Sequence, residues 1–151
     1  DRVKMACIAQ IVNVLQSVVL TEGSRMLLTP TYHVFHMYKY HQGAELIGSC
    51  LEVQEEKDSM VQESASIDRD GVVTVTLTNH SLQESHNMEL LFEERKPVEV
   101  KGYIVHGDMN AYNTFDEPET VVEEEFTAFT VEDRGLSFVI PPRSVMMFRI
   151  R

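Results

Sequence analysis

Carboxylate and amide side chains crowd one short segment, residues 108–120, whose sequence is DMNAYNTFDEPET. Its carboxylates, which could act as acids or nucleophiles if they shared a pocket, are Asp108, Asp116, Glu117 and Glu119. Asn113 and Asp116 are also typical turn formers, because their side chains accept hydrogen bonds from nearby backbone N–H groups. Pro118 would end such a turn, and Phe115 is built to anchor it in an apolar pocket. We therefore interpret the segment as a packed loop and not as a site.

The histidines His33, His36 and His41 lie close together in the sequence, as metal ligands often do. On a helix His33 and His36 share one face, whereas His41 points well away from it. No HExxH pattern accompanies these histidines, and no nearby Cys or Asp completes a set of ligands. We expect no metal ion here, and expect instead a half-exposed helix that contacts another domain.

Among the carboxylates, only Glu22 is expected at the end of a buried strand, because it closely follows the apolar run NVLQSVVL at residues 13–20. A pair of carboxyl groups is what the hydrolysis of a glycosidic bond requires. The end of a buried strand is also where the rim of a barrel would place a functional residue. The alternative is that Glu22 is an exposed loop acid beside Gly23. Neither a GxSxG motif nor a glycine-rich phosphate loop is present.

The composition excludes several classes of partner. With 13 basic and 24 acidic residues, the chain carries a formal net charge of -11, which disfavours binding to nucleic acid and to an anionic membrane surface. No run reaches the ~18 apolar residues of a membrane helix, and no signal peptide is evident. We expect Cys7 and Cys50 to be buried thiols, as in a reducing compartment, and the protein to be cytoplasmic. The absence of an initiator Met indicates a chain that starts partway through a larger protein.

Residues 1–43 and 44–151 differ in their patterns. The first part predicts a helix over 1–12, a strand over 13–20 and a second helix over 30–42. The strand is β-branched without clean alternation, which is typical of a parallel strand covered on both faces. Thr29 suits the N-cap of the second helix, Pro30 its first position and Gly43 its end. Because a parallel strand needs neighbours, residues 1–43 indicate an incomplete α/β domain.

Residues 44–151 predict an all-β domain. Alternation is clear in VVTVTLT and VEVKGYIV, and turn signals separate the runs. The predicted strands are residues 46–53, 60–67, 72–78, 88–93, 98–106, 121–130, 136–140 and 145–150. Short strands at this spacing favour a mainly β fold, an antiparallel β-sandwich of jelly-roll type.

Five strings carry a resemblance to a known family. They are NVLQSVVLTEG, LTPTYHVFHMYKYHQ, NTFDEP, IPPRSVMMFRI and an opening that contains DRVKMA. In their order along the chain, which begins with DRVKMA, and at their spacing, these strings resemble the C-terminal end of α-L-arabinofuranosidases of glycoside hydrolase family 51. The resemblance implies that residues 1–43 are the end of a (β/α)8 barrel and that residues 44–151 are a C-terminal jelly-roll sandwich.

The resemblance also implies an activity and a site. The family releases terminal L-arabinofuranosyl groups with retention, using two Glu residues on earlier barrel strands and no cofactor. The sequence motifs that surround these two Glu residues in the family do not occur in this chain. The catalytic pair is therefore expected upstream, and the chain alone is expected to be inactive. Glu22, Thr29 and Thr31 are the candidates for one edge of the arabinose pocket, and homo-oligomers are expected. The alternative is a non-catalytic carbohydrate-binding or interaction sandwich.

Overall fold

A computed structural model describes residues 7–8, 10–52, 60–93 and 96–151 of the chain. The described chain begins with a β-hairpin and a helix. Its elements are β1 (Val19–Glu22), β2 (Arg25–Leu28), α1 (Pro30–Tyr38) and a 3-10 turn (Lys39–His41). β1 and β2 pair with each other as an antiparallel two-stranded sheet. Gly23 makes the tight turn between them possible, because its φ of +59° is strained for residues that carry a Cβ.

The remaining strands form two antiparallel sheets, which confirms the predicted mainly β sandwich. They are β3 (Glu45–Leu46), β4 (Val61–Ile67), β5 (Val73–Asn79), β6 (His86–Leu91), β7 (Val100–His106), β8 (Glu124–Phe126), β9 (Phe129–Glu132), β10 (Gly135–Ile140) and β11 (Ser144–Ile150). One sheet is six-stranded in the order β3-β4-β5-β11-β7-β8, and the other is three-stranded in the order β6-β10-β9.

The main core lies between the two sheets. Alternate side chains of the central strands point into it, because successive residues of a strand face opposite sides. Phe148 and Met146 from β11 and Ile140 from β10 are each 0% exposed. The ring of Phe148 contacts that of Phe138 at a centroid separation of 4.7 Å. This cluster joins the sheets into one sandwich.

The outer face of the six-stranded sheet is covered as well. Met37 of α1 packs against Val105 and Met147, which come from β7 and β11. Beyond the helix, His41 Nδ1 lies 2.7 Å from Ser66 Oγ and its Nε2 lies 3.2 Å from Thr76 Oγ1. These contacts fasten the segment that follows β2 onto the sandwich.

The strand predicted over residues 13–20 is corrected by the structure. Residues 13–18 form bends and turns, and the strand begins only at Val19 and runs antiparallel to β2. The backbone of Asn13 and Gln16 has φ of 55° and 61°, a left-handed conformation that interrupts an extended strand. Among the described residues of this region, the one parallel pairing is the isolated bridge between Val12 and Val19. Most of the helix predicted over residues 1–12 lies outside the described residues, and Gln10, Ile11 and Val12 are not helical.

Two further predictions change. The strand predicted over 121–130 is two strands in different sheets, since β8 pairs with β7 and β9 pairs with β10. The chain crosses between the sheets at Thr127 and Ala128, which form no strand.

The prediction that Cys7 and Cys50 are buried is wrong, because both thiols are exposed and free. Ile8, the described neighbour of Cys7, is itself 37% exposed.

Candidate functional site

Glu22 lies at the tip of the β1–β2 hairpin, where the chain turns through Gly23. Its side chain is 62% exposed and forms an ion pair with Arg25, the residue opposite it in the hairpin register. Arg25 also approaches Asp116 of the β7–β8 connection at 3.5 Å. These two contacts place the Glu22 carboxylate beside a cation that also reaches the β7–β8 connection.

Thr29 and Thr31 lie where α1 begins. Thr29 has the extended backbone of an N-cap, but its side chain makes no capping hydrogen bond. Its hydroxyl instead donates to the carbonyl oxygen of Ser17 at 2.7 Å, with the oxygen of Val18 at 3.2 Å. The predicted N-cap position of Thr29 is therefore confirmed, but its hydroxyl does not cap the helix and instead ties the start of α1 to the segment before β1. Thr31 is half-buried, and its hydroxyl has no hydrogen-bond partner among the described residues.

The three candidates are not gathered at one point. Glu22 pairs with Arg25 at the closed end of the hairpin, whereas Thr29 follows Leu28, which pairs with Val19 at the open end. With a rise of about 3.4 Å per residue, the two ends lie roughly 10 Å apart. Glu22 and the two threonines therefore border one hairpin from opposite ends.

The connection between β7 and β8, residues 107–123, is called the β7–β8 loop below. It contains the carboxylate-rich segment singled out in the sequence. All of its carboxylates from Asp108 to Glu119 are exposed, and Asp108 and Asp116 have 94% and 93% of their side chains in contact with solvent. Such solvated groups do not share a pocket, which agrees with the interpretation of the segment as a packed loop.

Asn113 is the buried polar residue of this loop, with 5% exposure. Its Oδ1 accepts the N–H of Val121 at 2.7 Å, as expected for a turn former. Its Nδ2 donates to the carbonyl oxygens of Val121 at 2.9 Å and of Leu28 at 3.0 Å. Asn113 therefore closes the loop and also joins it to the end of β2. The contact with Leu28 was not predictable from the sequence, because the two residues are 85 positions apart.

The turn within the loop differs from the prediction. Thr114 forms it, since its hydroxyl accepts the N–H of Glu117 at 2.9 Å and its own N–H donates to the oxygen of Glu117 at 3.0 Å. Asp116 makes no backbone hydrogen bond among the described residues, so its predicted role in the turn is wrong. Phe115 is half-buried, and the guanidinium carbon of Arg25 lies 4.9 Å from its ring centroid. The loop thus rests on the β1–β2 hairpin.

A chain of titratable side chains crosses from α1 to the β7–β8 loop. Glu123 Oε2 accepts the Nδ1–H of His36 at 2.6 Å, and Lys39 Nζ lies 2.6 Å from His36 Nε2. Burial lowers the pKa of His33, and the charge of Glu123 opposes this effect while that of His36 adds to it. Among the described residues, no group of three or more His, Cys, Asp or Glu side chains is arranged to hold a metal ion.

A groove of about 360 Å³ opens between the first residue of α1 and the ends of β5, β7 and β11. It is lined by apolar side chains such as Val105, Val121 and Val145, together with Arg143. Arg143 donates hydrogen bonds to the carbonyl oxygens of Gly107 and Leu82, so its guanidinium links two backbone segments of the sandwich. None of the three candidate residues lines this groove.

Comparison with known sequences gives one family. The sequence model of the alpha-L-arabinofuranosidase C-terminal domain matches residues 1–144. A curated relative, the "Intracellular exo-alpha-L-arabinofuranosidase" of Bacteroides ovatus, is 34% identical over 158 residues, which cover 100% of this chain and 31% of that protein. The chain therefore spans about a third of the length of the curated relative it matches. No helix among the described residues is long and apolar enough to cross a membrane.

Solved structures agree with this match. The family 51 arabinofuranosidase of Xanthomonas axonopodis pv. citri superposes with a TM-score of 0.87 and 33% identity over 99% of this chain and 32% of that chain. The arabinose complex of the Thermotoga maritima enzyme superposes with a TM-score of 0.81 over 93% of this chain and 32% of its own; at 23% identity it supports the fold alone. The resemblance to the C-terminal portion of family 51 enzymes is thereby confirmed. This chain belongs to the alpha-L-arabinofuranosidase C-terminal domain family.

Proposed function

We propose that the chain is the C-terminal part of an exo-acting, retaining α-L-arabinofuranosidase of glycoside hydrolase family 51. Its substrates would be arabinose-containing oligosaccharides and polysaccharides such as hemicelluloses, from which it would release terminal L-arabinofuranosyl groups. The observation that carries the proposal is the 34% identity, along the whole chain, to a relative named as an exo-alpha-L-arabinofuranosidase. The activity belongs to the longer protein, since the chain spans 31% of that relative.

We further propose that residues 1–43 complete a catalytic (β/α)8 barrel and that residues 44–151 are its C-terminal sandwich. The exposed apolar side chains of the first part support this division. Ile11 is 62% exposed, Leu15 92% and Met26 67%. Several exposed apolar side chains within one short part of a chain favour contact with another protein surface. The remainder of the barrel is the proposed partner for them.

The chemistry would come from two carboxyl groups of the upstream barrel, one acting as acid and base and the other as nucleophile. This chain would supply one edge of the arabinose pocket through Glu22, Thr29 and Thr31. The Glu22 carboxylate and the Thr31 hydroxyl are the groups suited to hydrogen bonds with sugar hydroxyls. No cofactor enters such a reaction, and without the upstream pair the 151 residues would be inactive.

The cellular setting is proposed from the same relatives. The curated relative is named as intracellular, which supports a cytoplasmic bacterial enzyme of L-arabinose metabolism. The net charge of -11 disfavours nucleic-acid and anionic-membrane partners. A homo-oligomer is the expected assembly.

The alternative function, a non-catalytic carbohydrate-binding or interaction sandwich, would be favoured if residues 13–20 formed a strand within the sandwich. In the described chain β1 pairs with β2, apart from the single bridge between Val19 and Val12, and it joins neither larger sheet. An independent sandwich has no structural use for this hairpin or for the exposed Leu15 beside it. This arrangement supports the first proposal over the alternative.

The test compares the 151-residue chain with the longer protein that contains it, using an aryl α-L-arabinofuranoside. We expect turnover by the longer protein, with the first-formed arabinose retaining its anomeric configuration by proton NMR. The chain alone should release no aryl group after repurification. The native protein should have an intact mass well above the 17.3 kDa of this chain. Turnover by the repurified chain, or inversion at the anomeric carbon, would contradict the proposal.

The pocket edge has its own test in the longer protein. Glu22→Gln and Thr31→Val should raise KM for the arabinofuranoside, because the first removes the charge that strengthens a hydrogen bond to bound substrate and the second removes the hydroxyl. Glu45→Gln is the matched control, since Glu45 is an exposed carboxylate on the distant strand β3. Equal KM values in the three variants and the wild type would remove these residues from the site.

A further inference from the structure

Asn113 forms hydrogen bonds both within the β7–β8 loop and to β2, whereas a residue that only shaped the loop would need the first kind alone. Its side chain is buried, and both its amide hydrogens and its carbonyl oxygen have backbone partners. One of these partners, the carbonyl oxygen of Leu28, belongs to the last residue of β2 and not to the loop. The neutral amide is required chemically, because it must accept one hydrogen bond and donate two.

The contact with Leu28 continues toward the proposed pocket edge. Leu28 directly precedes Thr29, whose N–H donates to the oxygen of Val18 at 3.2 Å and whose hydroxyl donates to the oxygen of Ser17 at 2.7 Å. Ser17 is itself 2% exposed. A continuous series of hydrogen bonds thus runs from the sandwich loop through Asn113 and the end of β2 to the segment before β1.

We propose that Asn113 is a positioning residue, through which the β-sandwich sets the place of residues 28–31 at the edge of the sugar pocket. This inference rests on the proposed function, because the pocket edge is part of it. Asn113 itself does not touch the substrate. The hydrogen bond to Leu28 fixes the backbone that carries Thr29 and Thr31, so that the Thr31 hydroxyl meets the substrate without further ordering.

A second buried asparagine provides a matched control. Asn79 is 2% exposed, its Nδ2 donates to the oxygens of Glu84 and Pro141 at 2.9 and 3.0 Å, and its Oδ1 accepts the N–H of Ser81 at 2.9 Å. Its bonds resemble those of Asn113 in kind, with one further, longer contact from Nδ2 to the oxygen of Ile140 at 3.5 Å. They lie within residues 79–141 and involve no residue of the β1–β2 hairpin or α1. Loss of the Asn79 amide therefore reports on stability alone.

The experiment measures kcat and KM of the longer protein and of its Asn113→Asp and Asn79→Asp variants on an aryl α-L-arabinofuranoside. Each change keeps the side-chain shape but places a carboxylate oxygen against the carbonyl oxygens that the amide faced. Assays are run well below the melting temperatures of all three proteins. We expect both variants to melt at lower temperature than the wild type. Only Asn113→Asp should raise KM. We expect an increase of about fivefold, which is the change in an equilibrium constant that the loss of one typical hydrogen bond produces.

A third variant guards against a folding failure. Asn113→Ser removes the donor to Leu28 with less electrostatic repulsion, and it should raise KM in the same direction. If the Asn113 and Asn79 variants have the wild-type KM, or if both change it equally, Asn113 does not position the pocket edge. In that case the proposed function is still supported, because the wild-type longer protein releases arabinose. If the wild-type longer protein releases no arabinose, the proposed function is wrong and this inference fails with it.

Discussion

The imidazole of His36 donates its Nδ1–H to Glu123 Oε2 at a distance of 2.6 Å and thereby joins α1 to the end of the β7–β8 loop. The side chain of Glu123 is only 13% exposed, so this hydrogen bond is formed largely out of water. Lys39 meets the other ring nitrogen of His36 at 2.6 Å. This chain of side chains and the Asn113 contact are two separate links between the N-terminal elements and the sandwich.

Glu123→Gln should lower the free energy of unfolding by about 1 kcal/mol, because a charge-assisted hydrogen bond becomes a neutral one. Thermal or denaturant unfolding of the protein measures this change. Glu124→Gln is the matched control: Glu124 is the exposed neighbour in β8 and should change stability by less than about 0.5 kcal/mol. Equal effects of the two substitutions would show that the His36 contact does not stabilise the fold.

Stability should fall on mild acidification, in part through His41. Burial lowers the pKa of His41 from its ordinary value of 6.5, and that of His33 is lowered for the same main reason. Between the lowered pKa and 6.5 the unfolded chain binds more protons than the folded one. The stabilising contribution of neutral His41 is therefore complete above about pH 6.5 and is lost as the pH falls below it.

The measurement is the melting temperature between about pH 7.5 and pH 5, a range centred on the ordinary pKa of histidine. His41→Gln can keep hydrogen bonds to Ser66 and Thr76 without titrating, so its melting temperature should decline less than that of the wild type. His80→Gln, at an exposed position, serves as the control and should decline as the wild type does. If the melting temperature of the His41→Gln variant fell as much as that of the wild type, His41 would be excluded as a source of the pH dependence.

Gly102→Ala should lower the free energy of unfolding by about 1–3 kcal/mol, the usual cost of overpacking. A Cβ at this position would lie 2.5 Å from the carbonyl oxygen of Phe126 and 3.1 Å from the ring of Phe148. Because Gly102 pairs with Phe126, the clash would separate β8 from β7. Gly48→Ala is the control, since a Cβ there meets no atom within 4 Å. A near-neutral Gly102 variant would mean that β8 can move away without loss.

Phe115 and Arg25 should be energetically coupled across the contact between the β7–β8 loop and the β1–β2 hairpin. With the guanidinium 4.9 Å from the ring centroid, a double-mutant cycle of Phe115→Ala and Arg25→Ala should give about 0.5–1 kcal/mol. Phe115→Ala should lower the melting temperature of the longer protein more than its turnover. Tyr112→Ala, at a side chain that is 68% exposed in the same loop, should be nearly neutral. Lost turnover at unchanged stability would make the loop part of the site.

Local patterns in the sequence predicted most of the sandwich. The alternation of residues 73–79 and 100–106 is imposed by the pleat of a strand, so it survives whatever the neighbours are. β5, β7, β10 and β11 therefore begin and end within about two residues of their predicted bounds. The helix after Thr29 was predictable for a similar reason, since Pro30 and Gly43 act on their own backbone. The family signature strings are likewise a property of the sequence alone.

Only the tertiary structure decided how these elements are joined. Residues 121–130 have one continuous strand pattern, but the bend between the two sheets divides it at Thr127. Ser66 and Thr76 have the pattern of solvent-facing residues, yet His41 covers them, and Asn113 has the pattern of a turn former, yet it binds Leu28. A polar side chain has the same local signature whether it faces water or a distant partner. Its partner is chosen by the packing of whole elements, which no short stretch of sequence contains.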